Sequence, residues 1–273
     1  MPDLPLTSHI RLDLRGPVLH LWLNRPELRN ALSQQMLTEI LATFGAIADD
    51  RAVRVVVLRG TGGTFCAGAD IKNLSTVPAA PPPGATDEVK ENNRRFGAMM
   101  ETVNAAPQAV IAAVEGFAMG GGFGLACVAD ITIATADAVF AMSEVKIGVV
   151  PAAISPFVVK RIGLTAARRF GVSGARFGGT EACAIGVAHL AVADAAALDA
   201  AVRDASNQVL ACAPGAVAAT KRLMLRAAGP TPMAELLDDA AEYFAAAVRS
   251  AEGREGTKAF VEKRKPSWFV QVE

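Results

Sequence analysis

The sequence has little of what usually marks a small catalytic or disulfide-built protein. Its 273 residues include four cysteines, three histidines and one tyrosine, and aromatic residues make up only 5%. Cys66, Cys127, Cys183 and Cys212 form no C-x-x-C pair, and none stands at zinc spacing from a histidine. A disulfide framework and a metal site are therefore not expected, and a reducing, cytoplasmic setting is. His9, His20 and His189 are scattered through strand-like segments, and no G-x-S-x-G motif is present, which argues against a Ser-His-Asp hydrolase. Charge of one sign is missing too. Lys plus Arg number 27 and Asp plus Glu 27, so nothing points to nucleic acid or an anionic membrane surface as a partner. No apolar run approaches bilayer length. The start, MPDLPLTSHI, lacks a basic region followed by an apolar one, so no signal peptide is expected.

What is present is apolar mass and glycine. At 52% hydrophobic the chain can bury a large core. The most informative stretch runs from Glu115 to Gly148, where Gly120, Gly121 and Gly122 precede a short helical segment, Phe123 to Val128. Glycines at a helix mouth allow close backbone approach and leave N–H groups pointing outward. The run is either a tight packing turn or a cradle for an anion or a developing oxyanion. Upstream, the β-branched run Val53 to Leu58 reads as a strand buried on both faces. It leads into a second glycine-rich loop, Gly60 to Asp70. That loop has no G-K-[ST] and no G-x-G-x-x-G opening a helix, which argues against a nucleotide-binding fold. Ala109 to Val114 feeds the glycine run in the same way, so two strand-then-loop units could place two N–H groups on one oxygen.

Other elements follow in order. His9 to Leu14 and Val18 to Leu23 alternate as strands, and Pro26 interrupts the segment after them. Ser33 N-caps a helix carrying Met36, Leu37, Ile40, Leu41, Phe44 and Ile47 on one face. Residues 73–87, rich in Pro, Ala and Gly, read as a surface loop. Glu88 to Ala105 is helical and carries Lys90, Arg94 and Arg95, which form either a solvated face or a contact for an acidic ligand group. Ile131 to Ala134 and Val139 to Met142 are strands. Glu144 leaves the second of them, as either a salt-bridge partner or a catalytic acid/base. Pro156 to Ile162 and Thr165 to Gly171 are helical, Thr180 caps a helix over 181–185, and Val187 to Val192 is a strand. Four alanine-rich helices follow, at 195–210, 215–227, 233–249 and 252–265. The division expected is an α/β core over 1–194 and a helical subdomain over 195–273 that packs on a partner subunit.

Taken together, LNRPELRNALS (23–33), GGTFCAGADIK (62–72), EGFAMGGGFGLACVADI (115–131), SEVKIGVVP (143–151) and EGTKAFVEKRKP (255–266) resemble the crotonase, or enoyl-CoA hydratase/isomerase, superfamily. GGGFGLACVADI and VVPAAISPFVVKRIG narrow the resemblance to bacterial hydratases of methylglutaconyl-CoA and isohexenylglutaconyl-CoA, which serve leucine and acyclic terpene breakdown. The resemblance implies a spiral of ββα units with a helical C-terminal part, assembled as a trimer or a dimer of trimers. It implies an acyl-CoA thioester whose oxygen lies between the N–H groups of Ala69 and Gly121. Ala67, Gly68, Asp70, Ile71 and Lys72 would cradle the CoA, with Gly120 at the reacting end and Leu28 and Arg29 alongside. Phe260 and Lys263 would approach the CoA of a neighbouring subunit. No cofactor is implied beyond the CoA that is part of the substrate.

One position departs from the pattern. Typical hydratases of the family use two glutamates; Glu144 matches the second, and the first falls on Gly124. Three readings follow: a hydratase of a branched α,β-unsaturated acyl-CoA with Glu144 acting largely alone, a double-bond isomerase or decarboxylase, and a non-catalytic acyl-CoA- or RNA-binding relative. A substrate with a second carboxylate calls for a cation. Lys146, which would share a face with Glu144 in a regular strand, is one candidate, and Arg94 and Arg95 are others.

Overall fold

In a computed structural model, residues 2–70, 72, 77, 81 and 84–273 are described. Ile71 and most of the loop expected over 73–87 lie outside them. The chain builds a six-stranded sheet in the order β1 (Ile10–Arg15), β2 (Val18–Leu23), β3 (Val55–Gly60), β4 (Ala109–Val114), β6 (Ile131–Thr135), β9 (Leu190–Val192). A second sheet orders β5 (Phe117–Met119), β7 (Val139–Ala141) and β8 (Phe177–Gly178). In the first sheet only the β1–β2 pair is antiparallel. The parallel strands are apolar on both faces because helices cover both. Side chains alternate accordingly. Val56, Leu58, Val110, Ala112 and Val114 enter one core, with α1 (Gln34–Ile47), α2 (Glu88–Ala105) and α3 (Gly121–Val128). Val55, Val57, Ile111 and Ala113 face Leu198, Val202, Ala205 and Leu210 of α6 (Ala195–Leu210). In packing terms α6 therefore belongs to the sheet.

The register sets where the site must lie. Leu23 pairs with Gly60 and Leu58 with Ala112, so β2, β3 and β4 end at one edge of the sheet. The segments that leave them, 24–33, 61–70 and 115–120, emerge side by side, outside the carboxyl ends of parallel strands where α/β sheets bind ligands.

Several local expectations need correction. Glu144 does not extend a strand: it opens a 3₁₀ turn, Glu144–Ile147, closed by Gly148 at φ +78°. Thr180 is not a cap, because α5 (Gly179–Ala184) starts one residue earlier, after Gly178. The two helices expected around residue 163 do form, as the two arms of α4 (Ser155–Ser173) on either side of a kink at Gly163, whose φ of +71° is outside helical space. α3 begins at Gly121, inside the glycine run. After α6 come α7 (Pro214–Ala227), α8 (Met233–Arg249) and α9 (Ala251–Val261). No residue of α7 or α8 is buried, and Met233, Leu237, Phe244 and Val248 form an exposed apolar stripe along α8. Among the described residues no helix is long and apolar enough to cross a membrane.

Candidate active site

The loop from Cys66 to Asp70 is stitched on two sides. Cys66 N–H donates to Phe117 O at 2.7 Å, and Met119 N–H donates to Cys66 O at 2.9 Å. Three residues on, Leu32 N–H donates to Gly68 O at 2.8 Å, and Asp70 N–H donates to Leu32 O at 3.0 Å. The residues flanking Ala69 therefore both bond Leu32, and Ala69's own N–H points away from it. Gly68, at φ +103°, presses on the neighbouring segment: a Cβ there would lie 3.1 Å from Met119 O. This contact sets the loop against Met119 and Gly120.

Gly120 N–H donates to Ala141 O at 2.8 Å, and Gly120 itself has φ +48°. Gly121 is the first residue of α3, so its N–H has no carbonyl four residues back. Among the described residues, the N–H groups of Ala69 and Gly121 have no hydrogen-bond acceptor. Ala69 is exposed while Gly121 is buried. Two unpaired donors on adjoining loops are suited to receive one oxygen as it gains negative charge.

Glu144 lies against Gly120, the residue before Gly121. A Cβ on Gly120 would fall 2.7 Å from Glu144 Oε1 and 3.6 Å from Oε2. Oε2 is buried with no partner among the described residues. Burial pushes the Glu144 carboxyl above the ordinary carboxylate range, opposed only by its own backbone N–H. A half-buried carboxyl with a raised pKa and one unpaired oxygen can exchange a proton with a molecule bound beside it.

The surroundings are apolar. A Cβ on Gly121 would lie 2.6 Å from Phe96 Cζ and 2.9 Å from Leu32 Cδ1. One on Gly124 would overlap Cγ2 of Ile154 and lie 3.1 Å from Cε of Met100. The volume at Gly124 is thus occupied by Ile154, which is buried. Sequence reasoning missed Ile154, because only the fold brings it onto position 124. The buried Cys66 thiol, pushed up to about 12 by desolvation, packs beneath Gly122 and is no nucleophile. Among the described residues no group of three metal-ligating side chains forms.

The other expected site residues fall at varied places. Ala67 N–H donates to Arg29 O at 2.9 Å, which joins the two segments expected to hold CoA. Leu28 is half-buried, and the exposed Arg29, at φ +50°, has its guanidinium 6.0 Å from the Phe117 ring. The exposed Lys72 donates its N–H to Asp70 Oδ1 at 3.4 Å. Asp70 itself is an ion-pair partner: Arg25 Nη2 donates to its Oδ2 at 3.0 Å. Phe260 and Lys263 are exposed at the end of α9. The face expected to be shared by Lys146 and Glu144 in a regular strand does not form. In a 3₁₀ turn residues two apart point to different sides, and Lys146 lies along Gly174, whose Cβ would be 3.0 Å from Lys146 Cε. Arg95 is likewise engaged elsewhere, donating to Thr38 Oγ1 at 2.7 Å.

Residues 14–271 match the enoyl-CoA hydratase/isomerase family. The chain belongs to that family, and it is an enzyme with enoyl-CoA hydratase-type activity on acyl-CoA thioesters. Among solved structures it is similar to Pseudomonas aeruginosa AtuE, at 49% identity and TM-score 0.91, covering 96% of this chain and 100% of that one. It is similar too to an enoyl-CoA hydratase/isomerase from Marinobacter aquaeolei, at 48% identity and TM-score 0.91, covering 96% and 99%. Among curated proteins, the human mitochondrial enoyl-CoA hydratase domain-containing protein 2 is 34% identical over 93% of this chain and 87% of its own length. The carnitinyl-CoA dehydratase of Proteus mirabilis is 31% identical over 96% and 99%.

Proposed function

We propose that this enzyme adds water to a branched α,β-unsaturated acyl-CoA of the methylglutaconyl or isohexenylglutaconyl type, with Glu144 as the acid/base. The reading would place it in leucine or acyclic terpene catabolism. It rests above all on the position of Glu144: a half-buried carboxylate against Gly120 whose Oε2 is buried and unpartnered, on the glycine run that carries one of two N–H groups without acceptors. The thioester oxygen accepts from Ala69 and Gly121. Glu144, ionised, takes a proton from water as the water oxygen bonds to the β-carbon. The electron pair of the double bond moves toward the thioester, and the two N–H donors hold the resulting enolate. Glu144 then returns the proton to the α-carbon. Water addition is redox-neutral, so the step requires no redox cofactor.

Gly124 bears on the alternative. With Ile154 filling that volume, no second carboxylate enters from position 124, and in this reading Glu144 makes both proton transfers. An isomerase needs only one base, so this observation also favours a double-bond isomerase of the same family. The neighbouring-copy role for Phe260 and Lys263, and assembly through the open face of α8, belong to the same proposal. For a substrate's second carboxylate the candidate is Arg94. Its Nη1 lies 3.9 Å from the position a Gly97 Cβ would take, with Ala153 Cβ 4.0 Å from the same point. This is the rim of the segment that runs from Glu144 to α4.

The test is mass spectrometry of products formed in ¹⁸O-water from methylglutaconyl-CoA, isohexenylglutaconyl-CoA and crotonyl-CoA. A gain of one labelled water, reduced on the order of 10²–10⁴-fold in Glu144→Gln, is the expected result. Solvent deuterium entering the substrate without that gain would make the enzyme an isomerase. In the same assay Arg94→Met should lower turnover of the dicarboxyl substrates and spare crotonyl-CoA; equal loss on both would remove Arg94 from recognition.

A further inference from the structure

Ala69 is the less protected of the two oxyanion donors. Gly121 is carried by a helix, whereas Ala69 sits in a loop held by two isolated bridges, Cys66 to Ala118 and its own to Leu32. Leu32 itself lies in a non-regular segment, 29–33, that contains two residues of positive φ, Arg29 at +50° and Asn30 at +57°. A donor held by such a pair of loops needs side chains to fix it.

Those side chains converge on Arg25. Its Nη1 donates to Ala31 O at 2.7 Å, one residue before Leu32. Its Nη2 donates to Asp70 Oδ2 at 3.0 Å, one residue after Ala69. The guanidinium thus spans the Leu32–Ala69 bridge, gripping a neighbour of each partner. The ion pair is well shielded, with side-chain exposure of 12% for Arg25 and 21% for Asp70. Arg25 is itself fixed: its N–H donates to Asn30 Oδ1 at 2.9 Å, and its carbonyl accepts from Leu28 and Asn30. Asn30, fully buried, donates through Nδ2 to Thr61 O and Thr64 O at 2.9 and 2.6 Å, which anchors the whole clamp on the loop after β3. A planar fork with two separated donors can make both grips at once, which an ammonium cannot do in the same geometry.

We propose that Arg25 and Asp70 are a positioning pair that aims the Ala69 N–H at the thioester oxygen. Asp70 then acts on the substrate through the backbone beside it, and is not a CoA ligand. The inference rests on the reading in which Ala69 and Gly121 receive that oxygen. Small errors in donor placement are costly in the transition state and cheap in ground-state CoA binding, since CoA is held by many other contacts. Arg25→Met should therefore lower kcat roughly 10- to 100-fold with KM little changed.

The experiment reads the carbonyl directly. A saturated acyl-CoA with a ¹³C-labelled thioester carbonyl is bound to the intact enzyme, and its infrared C=O stretch is compared with that of the free ligand. Wild type should show a downshift, Arg25→Met most of it lost, and Arg25→Lys a partial return. Asp70→Asn should behave as Arg25→Met does, and the double variant should be no worse than Arg25→Met alone. Affinity for the thioether analogue, which has no carbonyl oxygen, should be the same in wild type and both variants. A full downshift in folded Arg25→Met, or in Asp70→Asn should Arg25→Met not fold, overturns the positioning role and leaves the oxyanion pocket standing. No downshift in wild type overturns both. A parallel loss of thioether affinity makes the pair a general support of the CoA loop and overturns the proposal.

Discussion

Around Gly120 to Gly124 the site is shaped by side chains that are missing; around Ala67 to Asp70 it is held by side chains that are present. In the first region Glu144 occupies the space above Gly120, Phe96 and Leu32 that beside Gly121, and Ile154 that at Gly124. In the second, Arg25, Asn30 and Asp70 bind backbone and one another across the loops after β2 and β3. The difference follows from how each N–H is carried. A helix start is rigid and supplies unpaired donors without help, so neighbours can come close only if no Cβ intervenes. A loop has no ladder of its own and needs polar partners. The first region should therefore fail when atoms are added and the second when atoms are removed.

The sharpest way to break that comparison is Gly120→Ala. The new methyl would fall 2.7 Å from Glu144 Oε1, at a backbone of φ +48° and ψ −117° that side chains rarely adopt. Displacing the carboxylate by even an ångström should lower kcat/KM by about 10²-fold, while the strain costs about 1–3 kcal/mol of stability. Steady-state kinetics beside thermal unfolding would test it: unchanged turnover would mean that Glu144 has room to move.

The next largest effect is expected at Gly124. Gly124→Glu drives a side chain into Ile154 and Met100 and should destabilise by about 1–3 kcal/mol through overpacking. Adding Ile154→Ala should return part of that loss, because the volume is shared between positions 124 and 154. Additive melting temperatures for the two changes would show that they do not compete for space, and the account of the missing carboxylate would have to change.

How far the sequence exposes this arrangement depends on the range of the forces involved. The buried strands are legible because β-branched runs such as Val53 to Leu58 carry their environment with them, although the strand is Val55–Gly60. The helix capped by Ser33 is legible because its cap is local: Met36 N–H donates to Ser33 Oγ at 3.1 Å. The 3₁₀ turn at Glu144 is not, since four residues give no period to read. β5, three residues between glycines, forms only because β7 and Cys66 pair with it. Glu144 and the two glycine-rich loops stand out by composition. Arg25, Asn30 and Ile154 do not, because their roles arise from partners brought together by the fold; Arg25 and Asp70 are 45 residues apart.

The smallest change in stability is expected at Glu144, where function and stability separate at a single atom. Burial raises the Glu144 carboxyl, so between the ordinary carboxylate range and its raised value the folded state holds a proton that the unfolded state has released. Stability contributed by this group is therefore complete at low pH and lost as pH rises through that window. Above that window the fold carries a half-buried charge with one oxygen buried and unpartnered. Glu144→Gln removes the charge and keeps the shape. It should abolish most turnover yet raise the melting temperature by about 2 °C at neutral pH, and the gain should vanish in buffers below the ordinary carboxylate range, where both states are protonated in wild type. Calorimetry at several pH values reads this directly. A variant less stable than wild type at neutral pH would mean that Glu144 has a partner in solution, and that the acid/base at this site is held by a hydrogen bond and not poised by burial.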